Sequence, residues 1–217
     1  MSRKSFKIKR AVFGIIYVLL ALFAVIQACL PSETSSSVSE VFTEVASSAV
    51  FGEHVSEVSV LNEKLSFSDF ASFLRKLVGH FGLFSAMGLF GFLYLFKQTK
   101  TRKAVLIDLS ATISIAIVTE TIQYFMPSRI GALSDVILDA QGAVSAVSIA
   151  VAIISLLSRI KRGKKRKHIA YYVLIPALVF ATLFLLFNPD TVYMRFCFIL
   201  YATVCIVSDV TTILANS

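Results

Sequence analysis

The sequence is poor in charged residues and in cysteine, and it lacks the common catalytic motifs. Charged residues make up 16% of the chain, and only three cysteines are present. Cys29, Cys197 and Cys205 lie in or beside apolar runs without metal-ligand spacing, which indicates packing residues. Neither an HExxH motif nor a Ser–His–Asp order is present. The sequence therefore predicts no metal site and no cofactor, and it does not define a class of reaction.

The sequence also lacks segments in which apolar and polar residues alternate, which argues against a transmembrane β-barrel. Hydrophobic residues instead make up 57% of the chain and form runs near 20 residues long. That length crosses about 30 Å of hydrocarbon as a helix. We therefore predict an all-α, multi-pass bundle in the cell membrane with about six spans, near residues 11–30, 77–96, 104–126, 133–157, 169–187 and 196–214.

The positive charges are grouped between the apolar runs. Sixteen of the 21 Lys and Arg residues fall within residues 1–10, 97–103 and 159–167. Because such clusters mark cytoplasmic loops, six spans with the N-terminus inside place all three on one side of the membrane. The clusters are expected to contact membrane lipids, and this topology argues against nucleic acid as a partner.

The chain divides into five predicted segments. Residues 1–30 form a first helix with a basic cytoplasmic start, 31–69 an acidic, Ser-rich external loop, 70–158 a core of three helices, 159–168 a basic cytoplasmic loop, and 169–217 two C-terminal helices. The first run also resembles a secretory signal with Cys29 at a weak lipoprotein box, but its length favours an uncleaved helix. Within the loop, residues 38–49 fit either a surface-lying amphipathic helix or a solvated segment.

Six polar side chains in or beside spans two to four form the candidate ligand-binding site: His80, Glu120, Gln123, Arg129, Asp135 and Asp139. Ionisable residues inside membrane-length apolar segments are costly and so indicate function. Glu120 and Gln123 are three residues apart, and Asp135 and Asp139 four, so each pair shares a helix face. In the predicted topology all six lie toward the outer side, and we expect them to converge in a pocket that opens outward.

Gly142 and Ala146 continue the face of Asp135 and Asp139. Their small side chains would let another helix approach closely, and we expect that helix to be the third span. Asp108 in the third span and Asp209 in the sixth are expected to lie at helix ends and to reach water.

Several carboxylates near one arginine cannot all be ionised cheaply at low dielectric, so at least one is expected to hold a proton. Glu120, Asp135 and His80 are the candidate catalytic groups, acting as general acid or base. Arg129 is the candidate anchor for a phosphate or carboxylate. The structural alternative is that a Glu–Arg–Asp network locks the outer turn and that His80 is an interfacial residue at a helix end.

The pattern formed by His80, Glu120, Gln123, Arg129, Asp135 and Gly142 resembles the VanZ-like family of bacterial membrane proteins over about residues 75–157. Two positions differ from the family pattern. Asp139 stands where the family usually has Asn, and Lys76 lies four residues before His80 rather than three. The resemblance implies a bacterial envelope protein in a family named for reduced sensitivity to the glycopeptide teicoplanin.

Three functions fit these observations. The first is binding of, or action on, a cell-envelope ligand at the outer face, either a lipid-linked precursor or a glycopeptide. The second is a membrane-embedded hydrolase or transferase that acts on a lipid-linked substrate. The third is a proton-coupled transporter, although the sequence shows no convincing internal repeat.

Overall fold

A computed structural model describes residues 3–31, 57–60, 63–66, 76–129 and 131–162, together with six helical positions between residues 199 and 210. Four α-helices dominate: α1 (Arg3–Cys29), α2 (Leu83–Leu95), α3 (Thr101–Phe125) and α4 (Leu133–Arg162). A π-helical segment, Lys76–Gly82, leads directly into α2. The predicted fifth span and the predicted surface helix at 38–49 lie outside the described residues. The sixth span is described only at those six positions, so it stays a prediction.

Four helical stretches are long and apolar enough to cross a membrane: Ile8–Cys29, Lys76–Leu95, Thr101–Phe125 and Leu133–Ile154. They agree within a few residues with the first four predicted spans, and they confirm the prediction of a helical membrane protein. The total of six spans and the inside N-terminus stay predictions.

The described chain is nearly all helical, and its one departure from the all-α prediction is a short hairpin. Strands β1 (Glu57–Val60) and β2 (Glu63–Ser66) pair antiparallel, with Val58 opposite Leu65. The segment EVSV alternates polar and apolar residues, which is the period of a strand. Four residues are too few for that alternation to stand out in a loop.

The core of the bundle is built around α4. Within an apolar 18-residue part of α4, 78% of the residues are buried, against 11% within the corresponding part of α1. Phe92 of α2 and Leu138, Val144 and Val147 of α4 belong to one cluster of buried side chains. Helix α1 instead leaves large apolar side chains exposed along its length, such as Ile15 at 59%, as expected of a helix that faces lipid.

Glycines allow α2 and α4 to pack against each other closely. A Cβ atom on Gly88 would lie 2.8 Å from the main-chain oxygen of Ala143, and a Cβ on Gly142 would collide with the main-chain oxygen of Phe81. The Ser85 hydroxyl also donates to the Gly142 oxygen over 3.0 Å. The prediction that the third span packs against the small-residue face of α4 is therefore wrong at Gly142. The neighbour of this face at Gly142 is the second span, because glycines on both helices remove the side chains between them.

Candidate functional site

Two polar pairs join the π-helical segment to the start of α4. Lys76 forms an ion pair with Asp135, and the Nδ1 atom of His80 lies 3.1 Å from Oδ1 of Asp139. Both pairs join residues 59 positions apart in sequence. The two segments run in the same direction, since the antiparallel α3 separates them in the chain. A four-residue step along one segment therefore matches a four-residue step along the other.

The carboxylates of these pairs are buried, and their basic partners are partly exposed. The side chains of Asp135 and Asp139 are 5% and 1% exposed, against 17% for Lys76 and 22% for His80. His80 also reaches Asp135, with 3.9 Å between Nε2 and Oδ2. The basic groups thus lie between the buried acids and the outside of the bundle.

Helix α3 adds Glu120 to the same place. Its Oε2 atom accepts a hydrogen bond of 3.0 Å from the amide of Ala132, just before α4, and its Oε1 atom accepts one of 3.3 Å from Gln123 Nε2. Potential ligand atoms of His80, Glu120 and Asp139 all lie within 4.8 Å of one another. The structure therefore brings together five of the six predicted residues. We refer to them, with Lys76, as the polar cluster: Lys76, His80, Glu120, Gln123, Asp135 and Asp139.

Arg129, the sixth predicted residue, contacts the end of α1. Its Nε atom donates to the main-chain oxygen of Leu30 over 3.1 Å, and its Nη2 atom donates to that of Gln27 over 3.2 Å. A cation at a helix C-terminus satisfies carbonyl groups that have no partner within the helix. This contact ties the turn after α3 to α1. The role of Arg129 as a ligand anchor stays a prediction.

Sequence reasoning did not include Lys76 among the candidate site residues, although it pairs with Asp135. Its distance of four residues from His80 was the available signal, because Asp135 and Asp139 have the same spacing. The segment that holds both basic residues is π-helical. Short π-helical stretches within helices occur frequently at functional sites.

The expectation that Asp108 reaches water is wrong. Asp108 is 2% exposed, and neither carboxylate oxygen has a hydrogen-bond partner within the described residues. A Cβ atom on Gly91 would collide with its Oδ1 and would lie 2.9 Å from the ring of Tyr17. Because Gly91 has no side chain, the carboxylate of Asp108 can occupy the space beside it. Asp209 lies outside the described residues.

The polar cluster contains more acid than base. Lys76 can balance one of the three carboxylates, and His80 a second only when it is protonated. Within the described residues, Asp135 Oδ1 and Asp139 Oδ2 are buried and have no hydrogen-bond partner. Buried charges are costly unless they are paired and hydrogen-bonded. The cluster can therefore take up protons, a cation or a hydrogen-bond donor from a ligand.

Comparison with known proteins places this arrangement in a family. No curated protein and no solved structure matches the chain. A family model described as VanZ/LLP1 matches residues 13–158, and this range includes α1 from residue 13 onward as well as every residue of the polar cluster. Since the match covers more than half of the 217 residues, the chain belongs to the VanZ/LLP1 family.

Proposed function

We propose that the polar cluster faces the outside of the cell membrane and binds or acts on a cell-envelope ligand. The distribution of charge supports this orientation. Basic residues within 3–10, 97–103 and 159–162 lie where α1 and α3 begin and where α2 and α4 end. The cluster lies at the opposite end of the bundle. Because basic residues mark the cytoplasmic side, the cluster would face outward.

The observation that carries the proposal is that Lys76 and His80 are partly exposed while Asp135 and Asp139 behind them are buried. A ligand that arrives from outside would meet the nitrogen donors first. A lysine ammonium has three N–H donors, so Lys76 can hold Asp135 and still bind another acceptor. These donors favour a phosphate or carboxylate group on the ligand.

An anionic ligand that is also amphiphilic fits the position of the site in the membrane. Lipid-linked envelope precursors have this chemistry, and a glycopeptide with a fatty tail is another amphiphilic candidate. We infer that binding of such a molecule reduces sensitivity to teicoplanin-type glycopeptides, as the family name suggests.

The test is a teicoplanin susceptibility assay in a Gram-positive host that produces the wild type or a variant. Lys76→Met and His80→Ala remove the outer donors, and Lys103→Met is a matched control at the other end of the bundle, where the side chain is exposed. Membrane abundance is measured for each protein. We expect the wild type and Lys103→Met to lower susceptibility and the two cluster variants to lose this effect at equal abundance.

If the wild type does not change susceptibility, the proposal for glycopeptides is wrong. Lipids that co-purify with the wild type and with Lys76→Met can then be compared by mass spectrometry. Equal amounts of every anionic lipid in the two samples would also refute binding of an anionic envelope lipid at Lys76.

The pairing of His80 with Asp139 favours an enzyme as the second candidate. A histidine oriented by a buried carboxylate is a common general base. The other two catalytic candidates, Glu120 and Asp135, both lie near His80. Glu120→Gln keeps the shape of the side chain and removes its charge. Retained ligand binding with complete loss of product formation from a lipid-linked substrate would favour the enzyme. Parallel weakening of both would favour a binding protein.

A further inference from the structure

We propose that His80, Glu120 and Asp139 bind a divalent transition-metal ion, with zinc as the best match. The three residues come from three segments: the π-helical segment, α3 and α4. One ligand atom from each lies within 4.8 Å of the other two. The inference deepens the proposed function because it concerns the same cluster.

The donor set favours zinc over magnesium or calcium. Zinc binds imidazole nitrogen and carboxylate oxygen at about 2.0–2.2 Å, usually with four ligands in a tetrahedron. Magnesium and calcium prefer sites made wholly of oxygen. Three protein ligands leave one position open for water or for an oxygen of a bound ligand, which is the pattern of sites that act on substrates.

Asp139 provides an independent reason to expect a cation. Its side chain is 1% exposed, and its Oδ2 atom is buried without a hydrogen-bond partner within the described residues. Its Oδ1 atom faces His80. An acceptor buried in this way loses its hydration without compensation. A cation bound beside it would supply the missing interaction.

The charges fit a divalent ion. Lys76 already pairs with Asp135, the third carboxylate of the polar cluster. Neutral His80 with ionised Glu120 and Asp139 has a charge of minus two, which one divalent ion balances. Lys76 and Asp135 then remain as a neutral pair beside the metal.

Glu120 is held in place by neighbours that leave its charge intact. The Ala132 amide and the Gln123 side chain both donate to its carboxylate. Hydrogen bonds of this kind orient metal ligands, and their loss typically weakens metal binding about 10- to 100-fold. The turn before α4 therefore presents Glu120 to the other two donors.

The experiment uses the full-length protein in lipid nanodiscs, with an affinity tag that contains no histidine. The protein is stripped with a chelator and then titrated with zinc in a competition assay with a fluorescent zinc indicator, and bound metal is counted by mass spectrometry. We expect one zinc per chain. Asp139→Asn and His80→Gln should each weaken binding at least 10-fold, since both remove direct ligands. Asp108→Asn, the same change at a buried aspartate away from the cluster, should bind zinc as the wild type does.

Cobalt provides a readout that needs no variant. Cobalt bound in place of zinc by imidazole and carboxylate should give visible absorption bands of a four-coordinate ion, which added zinc removes. The proposal is refuted if the wild type binds no zinc, if Asp139→Asn binds as tightly as the wild type, or if cobalt stays six-coordinate.

Failure of this inference is distinguishable from failure of the proposed function, because metal binding is measured without any envelope ligand. Absence of zinc together with a susceptibility effect lost in Lys76→Met would refute the metal site alone. A bound zinc without any effect on susceptibility would refute the glycopeptide proposal alone.

Discussion

Replacement of Gly142 by alanine should destabilise the bundle and disturb the polar cluster at the same time. The new Cβ would collide with the main-chain oxygen of Phe81 and would lie 3.1 Å from the Ser85 hydroxyl. A main-chain oxygen cannot rotate away as a side chain can, so the π-helical segment and α4 must separate. Overpacking of this kind costs about 1–3 kcal/mol.

Two opposing effects set the size of the change. Alanine is favoured over glycine inside a helix by up to about 1 kcal/mol. We therefore expect Gly142→Ala to lose up to about 2 kcal/mol of unfolding free energy relative to the wild type. Gly79→Ala is the matched control, because its new Cβ would meet nothing within 4 Å. It should be neutral or slightly stabilising.

The assay is unfolding by sodium dodecyl sulfate in mixed micelles, followed by far-ultraviolet circular dichroism. Phe81 is next to His80, so separation of the segments should also lengthen the contact between His80 and Asp139. Zinc affinity measured on Gly142→Ala should accordingly fall, whereas Gly79→Ala should keep it. If Gly142→Ala is as stable as Gly79→Ala, the close contact between these segments is not present in the folded protein.

Three further changes test single contacts. Lys76→Met should destabilise the protein by about 1–3 kcal/mol, because it leaves Asp135 buried without its cation. This cost is smaller than that of breaking a fully buried ion pair, since Lys76 is partly exposed. The double variant with Asp135→Asn should regain stability in the same unfolding assay. Asp108→Asn should be at least as stable as the wild type, since it removes a buried charge without a partner, and a lower unfolding midpoint would contradict this. Arg129→Ala should speed hydrogen exchange in the last turn of α1, measured by mass spectrometry, because two carbonyls lose their donor; unchanged exchange would refute the structural role of Arg129.

The spans were predictable from the sequence because membrane crossing depends on a local property, the length of an apolar run. Much of the polar cluster was predictable for a related reason. Asp135 and Asp139 share a helix face through their spacing alone, and the same holds for Glu120 and Gln123.

Contacts between helices were harder to predict. The positions of Gly88 and Gly142 decide that α2 rather than α3 approaches α4 there, and only the three-dimensional arrangement brings these two glycines to one interface. The same register places Lys76 against Asp135, which its position near a helix end did not indicate. The burial of Asp108 was unpredictable for the same reason, because the space for its side chain depends on Gly91 of another helix.

A metal site of the proposed kind also cannot be found from ligand spacing. Familiar zinc motifs place two ligands within a few residues of each other on one element. His80, Glu120 and Asp139 lie on three separate segments, so no short motif contains even two of them. The absence of such motifs from the sequence therefore says little about this site.

Whether the polar cluster is a packing lock or a functional site depends on how fully its groups satisfy one another. A buried polar network stabilises a fold when every member has a partner. Glu120 is consistent with a purely structural role, because both of its oxygens accept hydrogen bonds. Asp135 and Asp139 are not, since each retains a buried oxygen without a hydrogen-bond partner in the described part of the chain. Both carboxylates lie beside His80 through their other oxygens, and His80 is partly exposed. The cluster can therefore still accept a cation or a hydrogen-bond donor from outside. A network that only stabilised packing would be expected to leave no such acceptors.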